Sequence, residues 1–259
     1  DLVINATGAW ADELRGKVGR SARLRLIRGS HLVFGRDRVA LPEAGSFFHP
    51  RDRRAVFAIP WEGTTIVGTT DVDHDRDLCE EPAISTSEVA YVLEAAQRVV
   101  PAAELTERDV RATWSGVRGV VGTGAADPSK ESREHVLWTE DGLLTVTGGK
   151  LTTFRAMARH TLAAAGLRGP RTPIFDAPDA VHLPESVEGA RRRRLLGRYG
   201  LDAADVALAG DGARIGDADT EWAELAWSAA HESVVHLDDL LLRRIRIGLL
   251  LPADAPQQQ

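Results

Sequence analysis

Leu143-Leu144-Thr145-Val146-Thr147-Gly148-Gly149-Lys150-Leu151-Thr152-Thr153 is the stretch on which the fold turns. Leu143 to Thr147, aliphatic and β-branched, predict a buried strand, the two glycines a turn, and Thr152 to Ala165 a helix. Strand, glycine turn and helix in immediate succession indicate an α/β layer. The start of the chain repeats the pattern: Leu2 to Asn5 reads as a short buried strand, Ala6-Thr7-Gly8 as a turn and Trp10 to Leu14 as a helical stretch. His135 to Trp138 supplies a further strand.

Between these passages the pattern is that of an inserted, mainly antiparallel sheet. Arg23 to Phe34, Ala55 to Ile59, Thr64 to Thr70 and Arg111 to Val121 carry strand signals, and Pro60-Trp61-Glu62-Gly63 is a hairpin-sized connector. Ser85 to Val100 predicts a helix: Ser85 and Glu88 form a capping box, Val89, Val92, Leu93, Ala96, Val99 and Val100 make one apolar face, and Pro101 ends it. Gly166 to Pro173 reads as a linker. Four helical stretches follow, Ser186 to Tyr199, Ala203 to Ala209, Thr220 to Ala230 and His236 to Leu250. The expected class is α/β plus α: an α/β body, an inserted sheet and a small helical domain.

With 259 residues, 43% of them hydrophobic and 27% charged, the chain is long enough for one or two globular domains. Its longest apolar run, Ile247 to Pro252, falls far short of the roughly 18 residues a spanning helix needs. A net charge of −6 argues against general nucleic-acid binding, and the basic block Arg191 to Arg194 reads as a solvated helix face. The one cysteine, Cys79, permits no internal disulfide and fits a reducing, cytoplasmic setting. The chain opens at Asp1 and its one methionine is Met157, so it reads as a fragment whose natural start lies upstream.

Several motifs fail on inspection. Gly122-Thr123-Gly124-Ala125-Ala126-Asp127 begins like a dinucleotide loop, but Asp127 takes the last glycine position and Pro128 obstructs the helix that should follow. Gly149-Lys150 lacks the Ser or Thr and the first glycine of a nucleotide-phosphate loop, having Leu151 and Leu144 there. Asp71, Asp73 and Asp75 start like a calcium loop, but Arg76 replaces the turn glycine and Pro82 the closing Glu, which leaves a solvated acidic turn. No pair of the eight histidines has zinc-helix spacing, so no metal is expected.

Three features remain. Strand alternation puts Ile27, Gly29, His31 and Val33 on one face, where His31 is either a satisfied core histidine or a general base with Gly29 leaving room for a flat ring system. Alternation likewise groups Trp114, Gly116 and Arg118, and Arg133 precedes the next strand; two converging arginines would grip a phosphate or carboxylate through planar forks, whereas apart they would be surface salt bridges. Thr147 to Thr153 offers close backbone approach and the free N–H groups of a helix start to an anion or ring edge, with Thr152 or Thr153 as a candidate N-cap.

Taken together, Val3 to Trp10, Arg25-Leu26-Ile27-Arg28-Gly29-Ser30-His31, Ile59-Pro60-Trp61, Gly68-Thr69-Thr70-Asp71, Ser115-Gly116-Val117-Arg118 and Gly148-Gly149-Lys150-Leu151-Thr152-Thr153 resemble the FAD-dependent, quinone-linked glycerol-3-phosphate dehydrogenases in order and rough spacing. The likeness covers residues 2 to 160 most fully and extends more loosely to Leu237-Asp238-Asp239 and Arg243 to Leu249. It implies residues 1–20 and 121–168 as part of an FAD-binding Rossmann-like domain, 21–120 as the substrate-binding sheet and 174–259 as the helical C-terminal domain. It also implies oxidation of sn-glycerol 3-phosphate to dihydroxyacetone phosphate, with hydride passing to FAD and electrons to a membrane quinone. Arg118 and Arg133 would bind the substrate phosphate, His31 would act as base at the reacting hydroxyl, and Lys150 would favour negative charge on the reduced ring. Thr7, Gly8, Gly148, Gly149, Lys150, Leu151, Thr152 and Thr153 would line the FAD. Quinone use implies contact with the inner face of the cytoplasmic membrane, and a homodimer is a further expectation.

Two departures qualify the likeness. Gly119 stands where the family usually has proline, which loosens the loop beyond Arg118. The glycine-rich N-terminal βαβ unit does not occur in the sequence, so this fragment alone is expected to bind FAD poorly and to be inactive. The alternatives are an amine or hydroxy-acid oxidase of the same superfamily, in which Arg133 would be superfluous, and a non-catalytic anion-binding module.

Overall fold

The computed structural model describes residues 1–169 and 181–251. Positions 170–173 of the expected linker and 174–180 and 252–259 of the expected helical domain lie outside the described residues. The strands are β1 (Val3–Asn5), β2 (Leu24–Gly35), β3 (Gly45–Phe48), β4 (Ala55–Trp61), β5 (Thr64–Gly68), β6 (Val72–Asp73), β7 (Val110–Val121), β8 (Val136–Glu140) and β9 (Leu143–Thr147). The helices are α1 (Ala11–Gly16), α2 (Thr86–Val99), α3 (Phe154–Ala164), α4 (Gly189–Tyr199), α5 (Ala203–Leu208), α6 (Trp222–His231) and α7 (Ile247–Leu250). The mixed α/β architecture with an antiparallel sheet and a helical C-terminal region is the expected class.

The chain forms two compact units, the first comprising Asp1–His31, Gly68–Ala95 and Trp114–Arg171, the second Leu32–Val67, Ala96–Thr113 and Thr172–Gln259. In the first unit, β1 runs parallel to β9 with Val3 opposite Leu143, and β8 pairs antiparallel to β9 with Val136 opposite Thr147. The two strand-turn-helix passages are therefore neighbours in one sheet. Asn5, fully buried, joins them: its Nδ2 donates to Ala11 O at 3.0 Å and Thr145 Oγ1 at 3.2 Å, and its Oδ1 accepts from the Thr7 hydroxyl at 2.7 Å. An apolar residue at that position would leave the turn without this anchor. Arg15, 1% exposed, ties α1 to β8 through Glu140 at 2.9 Å.

A second sheet has the order β3-β4-β5-β2-β6, with β7 also paired to β2. The strand β3 escapes sequence reading because Gly45 to Phe48 is four residues without polar alternation; it pairs antiparallel to β4 with Phe48 opposite Ala55. Pro60 and Trp61 belong to β4 rather than to the connector, and the β4–β5 turn is the two-residue loop Glu62-Gly63, both at positive φ (45° and 80°).

In the second unit, α4, α5 and α6 enclose Leu195, Tyr199, Ala203, Val206 and Ala207, with Trp227 packed against them. Two expectations are corrected there. Arg191 and Arg194, three apart and on one side of α4, are not a solvated face: Arg191 pairs with Glu221 at 2.6 Å and Arg194 with the fully buried Glu224. The expected helix His236 to Leu250 is broken into a π-helical turn, Asp239–Arg244, and α7. Ile245 and Ile247 are both buried, two positions apart, which one continuous helix would point in nearly opposite directions; Arg246 at φ 60° between them turns both inward.

Candidate active site

The two strand faces read separately from the sequence are one face. Because β2 and β7 pair, the His31 ring stacks on Trp114 with centroids 4.0 Å apart and planes 8° from parallel. The Arg118 guanidinium lies over Gly29, whose missing Cβ would stand 2.1 Å from Arg118 Nη2. The room at Gly29, expected for a flat ring system, is thus filled by a flat cation of the protein itself.

The opposite face of β2 is held by one carboxylate. Glu88, 3% exposed, receives Arg28 Nη2 at 2.6 Å, the Ser30 hydroxyl at 2.8 Å and the Thr70 hydroxyl at 2.7 Å. It also accepts the Ser85 backbone N–H at 3.0 Å, so the capping box forms as expected and is only part of its role. Burial alone would raise this carboxyl; the Arg28 bond together with the Ser85, Thr70 and Ser30 donors overrides it and brings the pKa down from 4.5 to about 2. Ser30 adjoins His31, Thr70 adjoins Asp71, and Ser30 Oγ lies 2.8 Å from Ser115 Oγ beside Trp114. One buried group therefore sets the backbone register of three segments.

His31 is neutral near pH 7. Burial first, then the charge of Arg118, lowers its pKa from 6.5 to about 4. Its Nδ1 is buried without a hydrogen-bond partner among the described residues.

Arg118 and Arg133 do converge. Arg118 Nη1 donates to Asp71 Oδ1 at 2.5 Å and Arg133 Nη2 to Asp71 Oδ2 at 2.6 Å, one guanidinium for each oxygen of one carboxylate. Arg118 Nη2 donates to the Thr69 hydroxyl at 3.2 Å. The acidic turn is accordingly not solvated at Asp71, whose side chain is 4% exposed, while Arg118 and Arg133 remain 34% and 42% exposed.

Gly148 and Gly149 both have positive φ (74° and 77°). A Cβ on Gly148 would meet Glu134 O at 2.5 Å and one on Gly149 would meet Met157 Sδ at 2.4 Å, so internal packing as well as turn geometry requires glycine. A 3₁₀ turn, Leu151–Thr153, precedes α3; the Thr153 hydroxyl accepts the Lys150 N–H at 3.1 Å instead of capping α3. The rejected glycine loop is closed by Glu131, which accepts the Thr123 N–H at 2.9 Å.

Arg118 and Arg133 line a cleft of about 560 Å³ together with Gly8 and Gly148, Gly149, Lys150 and Leu151. His31, Thr7, Thr152 and Thr153 do not line it, and neither does Asp71, which sits behind the two arginines. Sequence reading left the role of Asp71 open, as a cap or as a group that orients a neighbour, and missed the work of Glu88 and Met157. A signal existed for the first in the Gly68-Thr69-Thr70-Asp71 run; for Glu88 the capping box offered a sufficient explanation and concealed the rest.

Residues 144–257 match the C-terminal domain of alpha-glycerophosphate oxidase. The aerobic glycerol-3-phosphate dehydrogenase of Bacillus subtilis is 40% identical over 161 residues, 61% of this chain and 29% of that protein. Glycerol-3-phosphate dehydrogenase 2 of Mycobacterium tuberculosis is 34% identical over 278 residues, 97% of this chain and 47% of that one. The chain thus spans about half or less of the length of these relatives. A glycerol-3-phosphate dehydrogenase from Bacillus halodurans, solved in complex with FAD, superposes with a TM-score of 0.72 at 27% identity, covering 94% of this chain and 53% of that one. Matched from its first residue through residue 164 by the FAD dependent oxidoreductase model, the chain belongs to that family.

Proposed function

We propose that the whole protein oxidises sn-glycerol 3-phosphate to dihydroxyacetone phosphate with FAD as hydride acceptor, and that electrons continue to a membrane quinone. The observation that carries this reading is the convergence of Arg118 and Arg133 at the wall of one cleft beside the glycine turn. An oxidase of amines or hydroxy acids needs one fork for a carboxylate; two partly exposed guanidinia side by side suit a phosphate dianion.

The cleft fits one end of FAD. Its size is that of a small-molecule site, and a Cβ placed on Gly8 would meet nothing within 4 Å, so the backbone there is open to close approach by a ring. Gly8, Gly148, Gly149, Lys150 and Leu151 would hold the flavin end, with Thr7, Thr152 and Thr153 on the same turns as outer support. When bound, FAD supplies the two-electron acceptor.

The chain's own residues do the rest. Arg118 and Arg133 fix the phosphate, which sets the distance of the C2 hydroxyl from the flavin end of the cleft. His31, neutral and stacked on Trp114 outside the cleft lining, would serve as the base that takes the hydroxyl proton. Lys150 at the cleft lining places a cation where negative charge develops. In this reading residues 1–20 and 121–168 belong to the FAD-binding domain, 21–120 to the substrate domain and 174–259 to the C-terminal domain. The enzyme works as a homodimer at the inner face of the cytoplasmic membrane. Among the described residues no helix is long and apolar enough to cross a membrane.

The test uses the full-length protein: record its flavin absorbance and add glycerol 3-phosphate anaerobically, with glycerol and sarcosine as controls. Bleaching by the phosphate ester alone supports the proposal. A bound flavin bleached by sarcosine, or by none of the three, overturns it.

A further inference from the structure

The geometry points to Asp71 as the positioning residue of the anion site, acting on substrate only through Arg118 and Arg133. This rests on the proposed glycerol 3-phosphate reading and deepens it. Two guanidinia that converge on one point repel each other, and long side chains lose rotamer freedom when fixed. Asp71 offsets both costs with a single group, each of its oxygens taking one arginine at 2.5 and 2.6 Å. Asp71 thereby holds two planar forks side by side at the wall of one cleft, an arrangement that suits two oxygens of one phosphate.

Asp71 is itself held. The Thr70 hydroxyl donates to Glu88 at 2.7 Å and accepts the Ser30 N–H at 3.0 Å, which pins the residue just before it. Thr69 adds the second contact to Arg118. Three consecutive residues of this turn therefore fix one guanidinium, either directly or through their neighbour. Asp71 also sets charge: with it, the two arginines present a net single positive charge, so that binding of a dianion rests on directed hydrogen bonds and not on charge alone.

The experiment compares wild type with Asp71→Asn and Thr69→Val in the full-length, FAD-loaded protein. Asn keeps the shape but turns one acceptor into a donor aimed at a guanidinium. The expected result for Asp71→Asn is a rise of about tenfold or more in KM for glycerol 3-phosphate, matched by the inhibition constant of inorganic phosphate, with kcat within about threefold of wild type. Thr69→Val, which leaves the charge intact, should raise both constants by a smaller factor, and it decides the matter if Asp71→Asn does not load flavin. Unchanged or lower constants in a flavin-loaded Asp71→Asn, or in Thr69→Val when it stands alone, overturn the inference. If wild type binds flavin but ignores glycerol 3-phosphate, the functional reading fails separately. The anion site is then judged by the flavin spectral shift on titration with inorganic phosphate, whose midpoint should still move about tenfold in Asp71→Asn.

Discussion

Gly29→Ala replaces a hydrogen by a methyl group, and it tests the seating of Arg118. The new methyl would stand 2.1 Å from Arg118 Nη2 and 2.6 Å from both Cζ and Nη1. Ordinary contact is about 3.5 Å, so the guanidinium must retreat by about 1.4 Å. That retreat stretches its 2.5 Å bond to Asp71 to the limit of an ion pair and carries it out of reach of Thr69, now 3.2 Å away. Losing charge-assisted hydrogen bonds of this kind costs about 1.5–3 kcal/mol, or about ten- to hundredfold in affinity for the anion. Gly29 has ordinary strand backbone within β2, where alanine is favoured over glycine by about 0.5–1 kcal/mol. Because the lost bonds to Asp71 and Thr69 lie within the folded chain, they outweigh the strand gain, and the full-length variant should show a slightly lower thermal midpoint while KM for glycerol 3-phosphate rises by that factor at nearly constant kcat. A KM within twofold of wild type, in a folded and flavin-loaded variant, would refute the placement of Arg118 in the anion site.

Glu88→Gln leaves Arg28 as a buried cation without its counter-charge and should cost about 3–5 kcal/mol in denaturant unfolding, against about 1 kcal/mol for an ordinary surface carboxylate. The depressed Glu88 carboxyl contributes stability that is complete above pH 4.5 and is lost as pH falls toward about 2; Glu88→Gln should flatten the unfolding midpoint over that range. His31 acts at higher pH by the same linkage, its folded pKa also lying below the unfolded value. Between pH 6.5 and about 4 the unfolded chain binds a proton that the folded His31 refuses, so wild type loses up to about 3 kcal/mol on acidification through that window, and a His31→Asn variant with a parallel slope would count against the assignment. Arg133→Ala and Arg118→Ala should each raise KM for glycerol 3-phosphate about tenfold or more, whereas a silent Arg133→Ala would favour the single-fork oxidase.

The parts legible in the sequence are those in which local signals and burial agree. β9 has the predicted bounds, Leu143–Thr147, because five aliphatic and β-branched residues stand between a type of turn on each side that only glycine serves well. Residues on each of β2 and β7 were sorted correctly by alternation, but alternation is a property of one strand. It carries no information on which strands pair, so the stacking of His31 on Trp114 and the seating of Arg118 over Gly29 were out of reach. Asp71 and Glu88 show a second limit. A carboxylate in sequence looks the same whether solvated or buried, and its partners here come from segments up to 62 residues away. The break at Arg246 shows a third: helical periodicity over His236 to Leu250 was real, yet the demand to bury both Ile245 and Ile247 outweighed it.

Glu88 gives the first unit an unusual mechanical property. The same carboxylate caps α2 and clamps β2, and through Ser30 and Thr70 it reaches the residues next to His31 and Asp71. Fraying of the α2 start, ordinarily the least consequential motion a helix makes, here releases a strand and two site segments with it. His31 and the Arg118–Arg133 pair accordingly share one opening event, and the proposed site has the cooperativity of its scaffold rather than the independence of a surface loop.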